Sequence, residues 1–308
     1  MLTISINPTY QCNGHCPYCY LGNLIKDDTV LNLQIMRNRL DQLQKFDNDL
    51  VIDIFGGEIG MLQENYLNDL ILMCLHYSKN VSISSNFTIN PNIVYNLARK
   101  YNIPLFVSWN VERGNINKIA IDNVLKYEDR SNIGIQIVCL PNIININIDK
   151  LIRYFESIKV LSITFLQYYP GKFAKKRYNV NNCDYSDFII RLHKLNKLNH
   201  YNINITNLNL IRNANYVPLQ SSNIFITPYG QYAVTKYDKD GYEEFYCFDS
   251  LNTFNDIIND EKRRYFTKCG TCEYYQYCLA EHWHDWNEND DCAGLKQVKL
   301  YMENLKVF

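Results

Sequence analysis

The chain has 308 residues, of which 47% are hydrophobic and 20% charged, and its formal net charge is −1. This composition is ordinary for a globular protein with one large or two modest domains, and the balanced charge predicts no nucleic-acid partner. The opening residues, MLTISINPTYQC, lack the basic and apolar regions of a secretory signal, and no apolar run is long enough to cross a membrane. The predicted location is the cytoplasm, with no membrane partner.

Short runs rich in Ile and Val alternate with longer amphipathic stretches over the first two thirds of the chain. The predicted strands cover residues 2–6, 51–55, 81–85, 104–109, 133–140 and 160–166. The predicted helices cover about residues 32–46, 64–78, 91–101, 115–127, 148–157 and 184–199. This alternation indicates parallel strands joined by right-handed crossovers. We predict an α/β fold, a partial (β/α)6 barrel over residues 1–204, with the carboxyl ends of its strands on one rim.

The pattern changes after about residue 205. The segment TPYGQYAV (227–234) is typical of a hairpin strand with a glycine turn, and a short helix is predicted near 253–262. A cysteine-rich stretch follows. We therefore predict a second, small domain over residues 205–308, organised by a metal centre rather than by a hydrophobic core.

Cysteine usage is the unusual feature of the composition. The chain has 11 cysteines, an odd number, and seven of them fall in two tight groups at opposite ends. In a chain without an export signal, grouped cysteines indicate metal binding or catalysis rather than a disulfide framework.

The first group follows the first predicted strand and reads Cys12-Asn-Gly-His-Cys16-Pro-Tyr-Cys19, a C-x3-C-x2-C spacing. Three thiolates in one short loop suit an iron–sulfur cluster, and a four-iron cluster with three ligands keeps one iron open for a chelating molecule. Gly14 suits the tight backbone of such a loop. The alternatives are a structural zinc site with His15 as a further ligand, or a set of buried thiols.

With Tyr18 at the aromatic position, this loop resembles the C-x3-C-x-aromatic-C signature of the radical S-adenosylmethionine (SAM) superfamily. The resemblance implies that Cys12, Cys16 and Cys19 hold a [4Fe–4S] cluster, whose open iron is chelated by the methionine amino and carboxylate groups of SAM. It further implies an external electron donor, of flavodoxin or ferredoxin type. Reductive cleavage of SAM would then give a 5′-deoxyadenosyl radical that abstracts hydrogen from a substrate carbon.

Further positions at successive strand ends are similar to motifs of the same superfamily. Gly56-Gly57-Glu58 ends the second predicted strand and resembles the GGE motif, which binds the SAM amino group. The glycines allow close backbone approach to a ligand, and the Glu58 carboxylate is an acceptor for an ammonium. Alone, Gly-Gly-Glu is also a common turn between a strand and a helix.

The next two strands end in partial matches. Ser85 and Asn86 stand where the superfamily often has Thr-Asn-Gly near the SAM ribose, although Phe87 replaces the glycine. Ser108 resembles the serine of an S-L-D-G segment near the SAM carboxylate, and the two residues after it differ from that segment. Each match alone is as typical of a plain turn, whereas their order along the barrel favours the SAM interpretation.

The second cysteine group has the spacing C-x2-C-x5-C-x13-C. A four-cysteine structural zinc site is one interpretation of this spacing. The group also resembles the SPASM extension of radical SAM enzymes, in which two auxiliary clusters are bound. Here His282 and Thr235 stand where two cysteines of the first auxiliary cluster are usual, so the resemblance implies a single auxiliary [4Fe–4S] cluster. Its implied ligands are Cys269, Cys272, Cys278 and Cys292. Cys247 is expected to be a buried thiol, and the alternatives are a remnant cluster ligand or a hydrogen donor.

Enzymes with a SPASM extension often modify ribosomally synthesised peptides. The resemblance therefore implies an oxidoreductase or peptide maturase that abstracts hydrogen from C–H bonds during cross-linking, thioether formation, epimerisation or excision. Because the chain begins directly at the first barrel strand, a separate leader-peptide-binding protein is expected as a partner. One alternative is a radical SAM dehydrogenase or epimerase of a small molecule. Another is an iron–sulfur electron carrier or sensor, which would need neither Glu58 nor a barrel.

Overall fold

The computed structural model describes residues 2–168, 176–208, 222–237, 243–273 and 296–306. These residues form an α/β fold around one mostly parallel sheet of ten strands, in the order β10-β9-β8-β1-β2-β3-β4-β5-β6-β7. The sheet is open between β10 and β7. The strands are β1 (Leu2–Ile6), β2 (Leu50–Ile54), β3 (Asn80–Ser85), β4 (Leu105–Trp109), β5 (Ile133–Cys139), β6 (Ser162–Gln167), β7 (Asn204–Ile205), β8 (Ser222–Ile226), β9 (Tyr232–Tyr237) and β10 (Glu243–Phe248).

The helices pack against the sheet in alternation with the strands. They are α1 (Leu33–Phe46), α2 (Glu64–Tyr77), α3 (Pro91–Lys100), α4 (Asn115–Leu125), α5 (Pro141–Ile144), α6 (Ile148–Ser157), α7 (Asn182–Asn199), α8 (Leu251–Cys269) and α9 (Lys296–Lys306). All six predicted barrel strands and all six predicted helices are present, so the α/β prediction is confirmed. The helix predicted near 253–262 is also present as α8, which extends further in both directions. In the part of the chain that the structure describes, none of the helices is both long and apolar enough to span a membrane.

Local sequence explains where several helices begin. Asn32 precedes α1, and its side chain accepts hydrogen bonds from the backbone N–H groups of Gln34 and Ile35. Asn147 and Asn181 cap α6 and α7 in the same manner. An asparagine oxygen satisfies N–H groups that have no partner within the first turn, so the abundant asparagines fix helix starts.

The two faces of the sheet differ in polarity. The outer face carries Ile4, Ile52, Ile83 and Ile135, which are fully buried in the core cluster shared with the helices. The opposite face, which looks into the barrel, carries polar residues at the alternate positions, such as Ser5. Since successive side chains of a strand point to opposite faces, the alternation in sequence directly produces an apolar shell and a polar interior.

Strands from both sides of the predicted boundary at residue 204 share this sheet. β8 pairs in parallel with β1, and β9 and β10 continue it antiparallel. The predicted hairpin is present: a turn at Thr227–Gly230 joins β8 to β9, and Gly230 has a φ of +76°, which glycine adopts without strain. The small domain over 205–308 stays a prediction, and its described strands extend the barrel sheet.

Arg39 connects α1 to the strands that follow residue 205. Its guanidinium donates hydrogen bonds to the carbonyl oxygens of Gly230 (2.7 Å) and Asp249 (2.9 Å), and it lies over the ring of Tyr232. The Asp249 carboxylate is 3.0 Å away. One side chain from the N-terminal part of the chain therefore holds two loops of the C-terminal part.

Candidate active site

A cavity of about 410 Å³ opens at the carboxyl ends of the barrel strands. Most sequence-predicted residues of the N-terminal site line it: Cys12, Cys16, Cys19, Gly56, Gly57, Ser85, Asn86 and Ser108. They arrive from the loops and ends of four consecutive parallel strands, whose carboxyl ends necessarily meet at one rim. The structure thus brings together residues that are 96 positions apart in the chain.

The cysteine loop is held by its own backbone. The Cys12 N–H donates to the Ile25 carbonyl (3.0 Å), and the Cys19 N–H donates to the Cys16 carbonyl (3.0 Å). A Cβ atom placed on Gly14 would lie 3.4 Å from the sulfur of Cys12 and 3.8 Å from that of Cys16, so these two thiols flank one glycine. Burial raises the pKa of the Cys12 thiol to about 11 and also raises that of Cys19, so both free thiols are protonated at neutral pH.

The three thiols fit the ligand requirement of an iron–sulfur cluster, because all of them line one cavity. His15, the further ligand of the zinc alternative, is exposed and outside the cavity lining. A four-iron cluster is ligated at separate corners, and three thiols around one cavity match that requirement. Metal binding would displace the thiol protons.

Gly56 and Gly57 line the cavity and contact the segment that leads into the cysteine loop. The Gly57 N–H donates to the Thr9 carbonyl (2.9 Å), and the Glu58 N–H donates to the Gln11 carbonyl (2.8 Å). A Cβ on Gly57 would lie 2.1 Å from the Gln11 carbonyl oxygen, which no side chain tolerates. The glycine is therefore required by the segment that leads into Cys12.

Glu58 has a different setting from the one that the GGE resemblance implies. Its carboxylate is completely buried and accepts hydrogen bonds from the Ser85 hydroxyl (2.6 Å) and from the N–H groups of Asn86 (2.6 Å) and Gly60 (2.8 Å). It is not among the residues that line the cavity. Burial raises the pKa of Glu58, and these three donors oppose the rise. Glu58 ties the end of β2 to the end of β3, and contact with the SAM amino group stays a prediction.

Asn86 and Tyr18 lie on either side of the cysteine loop. The Asn86 amide donates to the Asn13 side chain (2.8 Å) and lies 3.8 Å from the Cys12 sulfur. Tyr18 is outside the cavity lining and packs edge-on against Tyr168 and Tyr178. Its aromatic ring therefore connects the cysteine loop to these two tyrosines.

Arg113 is a site residue that the sequence did not single out. Its Nε donates to the Cys16 sulfur (3.3 Å), and its Nη1 donates to the carbonyl oxygen of Ser108. Two glutamines near the strand ends differ in position. Gln136 also lines the cavity. Gln167 does not, and its side chain donates to the buried Asn182 side chain (2.6 Å). An arginine four residues past a predicted strand carries no local signal of this contact, because the intervening loop determines its direction.

The second cysteine group is described in part. Cys269 is the last residue of α8, and the N–H of Cys272 donates to its carbonyl (2.8 Å). Both side chains are partly exposed. Cys278, Cys292 and His282 lie outside the described residues.

The expectation of a buried thiol at Cys247 is wrong, since this side chain is exposed. It lies on β10, at one edge of the sheet. Its neighbour Phe248 is the buried residue of this pair. Phe248 stacks on Phe254 of α8, and alternate residues of a strand face opposite sides, so Cys247 lies on the face of the sheet that α8 does not cover.

Comparison with known proteins shows the same fold in distant relatives. No family model matches the chain. An uncharacterised protein of Methanocaldococcus jannaschii is 23% identical over 246 residues, which cover 75% of this chain and 83% of that protein.

Solved structures resemble the whole chain. Native anSMEcpe with bound AdoMet (S-adenosylmethionine) superposes with a TM-score of 0.68 at 16% identity and covers 99% of this chain and 96% of its own. Streptococcus suis SuiB bound to S-adenosylmethionine gives a TM-score of 0.68 at 15% identity and covers 91% of this chain and 72% of its own. At sequence identities of 16% and 15%, this structural similarity establishes the fold of the chain and nothing further. The chain therefore has the fold of two proteins whose structures hold S-adenosylmethionine, and the partial barrel implied by the resemblance to the radical SAM superfamily is confirmed.

Proposed function

We propose that this chain is a radical SAM enzyme that binds a [4Fe–4S] cluster through Cys12, Cys16 and Cys19 and cleaves SAM reductively. One observation carries the proposal: the three thiols line a single cavity together with the Gly56-Gly57 backbone. When bound, the cluster and SAM supply the electron transfer and the hydrogen-abstracting radical of this reaction class.

The residues around the cavity prepare it for these groups. Gly56 and Gly57 expose backbone on the cavity wall, where the absence of side chains allows close approach of a ligand. The Arg113 guanidinium beside Cys16 offsets part of the negative charge of a thiolate-ligated cluster. We further propose an auxiliary [4Fe–4S] cluster at Cys269, Cys272, Cys278 and Cys292, and reduction by an external donor.

The proposed substrate is a ribosomally synthesised peptide, modified at a C–H bond. Structures with this fold support the substrate class: native anSMEcpe is known with AdoMet and the Kp18Cys peptide, and Streptococcus suis SuiB with the precursor peptide SuiA. A separate leader-binding protein belongs to this proposal. The reaction would be a cross-link, a thioether, an epimerisation or an excision.

Anaerobic reconstitution tests the proposal directly. Iron and sulfide are counted per chain, dithionite and SAM are added, and 5′-deoxyadenosine is quantified by mass spectrometry. We expect about eight irons per chain and formation of 5′-deoxyadenosine. About four irons with 5′-deoxyadenosine would retain the radical enzyme and overturn the auxiliary cluster. Intact clusters without 5′-deoxyadenosine would overturn the enzyme in favour of an electron carrier.

A further inference from the structure

The interior of the barrel is polar on nearly every strand. Closed barrels usually fill this space with layers of branched aliphatic side chains. Here the cavity that contains the cysteines is also lined by Thr3, Ser5, Asp53, Ser84, Gln136 and Asn223. Strand register places these positions on one face, since Ser5 is paired with Asp53 and Asp53 with Ser82. A polar interior suits a polar ligand that enters from the rim.

Most of these polar side chains are paired with one another. The Ser5 hydroxyl donates to the Asn223 side chain (3.1 Å), and the Ser84 hydroxyl donates to the Gln136 side chain (3.3 Å). These pairs satisfy groups that would otherwise lose hydration. Among the described residues, Asp53 is a carboxylate of the interior that lies outside these pairs and keeps unused acceptor capacity.

The Asp53 carboxylate has one hydrogen-bond donor, the Ser82 hydroxyl, which donates to Oδ1. A carboxylate accepts at about four lone-pair positions, so Asp53 keeps acceptor capacity at the cavity that it lines. Among the described residues, no lysine or arginine forms an ion pair with Asp53. Arg113, the other charged side chain of the lining, is instead directed at Cys16 and the Ser108 carbonyl.

A comparison with Glu58 shows how unusual this carboxylate is. Glu58 is completely buried and has three donors, whereas Asp53 is partly buried, faces the cavity and has one donor. A carboxylate held in a sheltered interior without a counter-charge is unfavourable for folding, and a cationic partner reverses that cost. In the described part of the chain, the cavity thus presents an anionic side chain that has no counter-charge.

We propose that Asp53 is a specificity-determining residue that binds a cationic side chain, a lysine ammonium or an arginine guanidinium, of the peptide substrate. The proposal rests on the proposed function and names its substrate class more narrowly. Because Asp53 and the cysteines line one cavity, a residue held by Asp53 lies beside the place where the proposed chemistry occurs. The step is non-covalent and adds no reactant.

Binding of short synthetic peptides tests the proposal. The probes are acetylated and amidated Gly-Gly-Xaa-Gly-Gly peptides in which Xaa is Lys, Arg or Gln. Dissociation constants are measured by calorimetry on the reconstituted enzyme with SAM and without reductant. We expect the lysine or arginine peptide to bind about tenfold more tightly than the glutamine peptide, and Asp53→Asn to erase that preference. Asp69→Asn, on the exposed face of α2, should retain it.

Ser82→Ala provides a second variant, since it removes the donor to Asp53 and keeps the charge. It should retain the preference, and circular dichroism confirms that each variant is folded. Equal affinity of the wild-type enzyme for all peptides, including no measurable binding, would overturn the proposal. So would a tenfold weaker SAM affinity in Asp53→Asn with an unchanged peptide preference, because Asp53 would then hold SAM. Formation of 5′-deoxyadenosine by the wild-type enzyme tests the proposed function separately.

Discussion

The two cysteine groups share a C-x2-C pair and differ in what surrounds it. Around Cys12, Cys16 and Cys19 the structure gathers a glycine wall from β2, an amide from β3 and a guanidinium that follows β4. Around Cys269 and Cys272 the described residues give the end of a helix and one turn, and the other two cysteines of the group lie outside them. The first group teaches that the spacing supplies only the thiols, whereas the cavity, the charge and the exposed backbone come from other strands of the barrel.

The largest expected effect is on 5′-deoxyadenosine formation, and it distinguishes the roles of the two cysteine groups. Cys16→Ala should lower the iron content from about eight to about four per chain and reduce 5′-deoxyadenosine to background. Cys272→Ala should lower iron by the same amount and still yield 5′-deoxyadenosine. Iron analysis and mass spectrometry measure both, and Cys183→Ala, an exposed cysteine on α7, is the control. Equal loss of product in the two ligand variants would show that the groups do not differ in function.

A second substitution tests whether the close contact between Gly57 and the segment before Cys12 is needed for stability and cluster binding. Gly57→Ala places a Cβ 2.1 Å from the Gln11 carbonyl and must displace the segment leading into Cys12. We expect a loss of about 3 kcal/mol in the free energy of unfolding, and reduced cluster incorporation. Urea denaturation and iron analysis provide the measurements.

The matched control is Gly114→Ala. Gly114, unlike Gly57, has a positive φ, +54°, and an added Cβ would meet open space. Its cost should be limited to backbone strain, about 1 kcal/mol. If the two variants were equally stable, the close approach at Gly57 would not constrain the loop.

Much of the barrel could be predicted from the sequence, because the alternation of apolar and polar residues determines its strands. Leu2, Ile4 and Ile6 alternate with Thr3 and Ser5, and this pattern predicts both a strand and its apolar outer face. The same alternation also indicates a polar barrel interior. Asp53, between Ile52 and Ile54, could therefore have been recognised as an interior carboxylate, and attention to the strand ends alone overlooked it.

Other features of the site depend on contacts that no local pattern encodes. The three bonds of Glu58 require β2 and β3 to lie side by side in one particular register. The Arg113 contact with Cys16 joins residues 97 positions apart through two irregular loops. Motifs located these segments at the rim, but only the folded geometry shows which atoms meet.

A third substitution tests how the C-terminal strands are attached to the barrel. Arg39→Ala removes two hydrogen bonds to carbonyl oxygens and the pairing with Asp249. Since hydrogen bonds to a charged donor are strong, we expect a loss of about 2 kcal/mol in the free energy of unfolding. Arg153→Ala, which breaks an exposed ion pair with Asp149 on α6, should cost about 0.5 kcal/mol or less. Similar urea midpoints for the two variants would contradict the anchoring role.

The smallest expected effect concerns Asp53 and depends on pH. Burial raises the pKa of this carboxyl, and the Ser82 hydrogen bond opposes the rise. The folded chain therefore keeps the proton to higher pH than the unfolded chain, whose aspartate titrates near about 3.9. Stability therefore falls as pH rises from the unfolded pKa towards the raised folded pKa, so the charge costs more at neutral pH than near about pH 4.

Asp53→Asn removes that cost, so it should unfold at a higher temperature than the wild type at pH 7, and the difference should vanish below about pH 4. Arg113 and the three cysteines also line the cavity, and their own titration is common to both proteins. Calorimetry at the two pH values provides the measurement. A less stable Asp53→Asn at pH 7 would mean that the carboxylate already has its counter-charge. A more stable variant that has lost its preference for lysine peptides would mean that the fold retains Asp53 for binding, at the expense of stability.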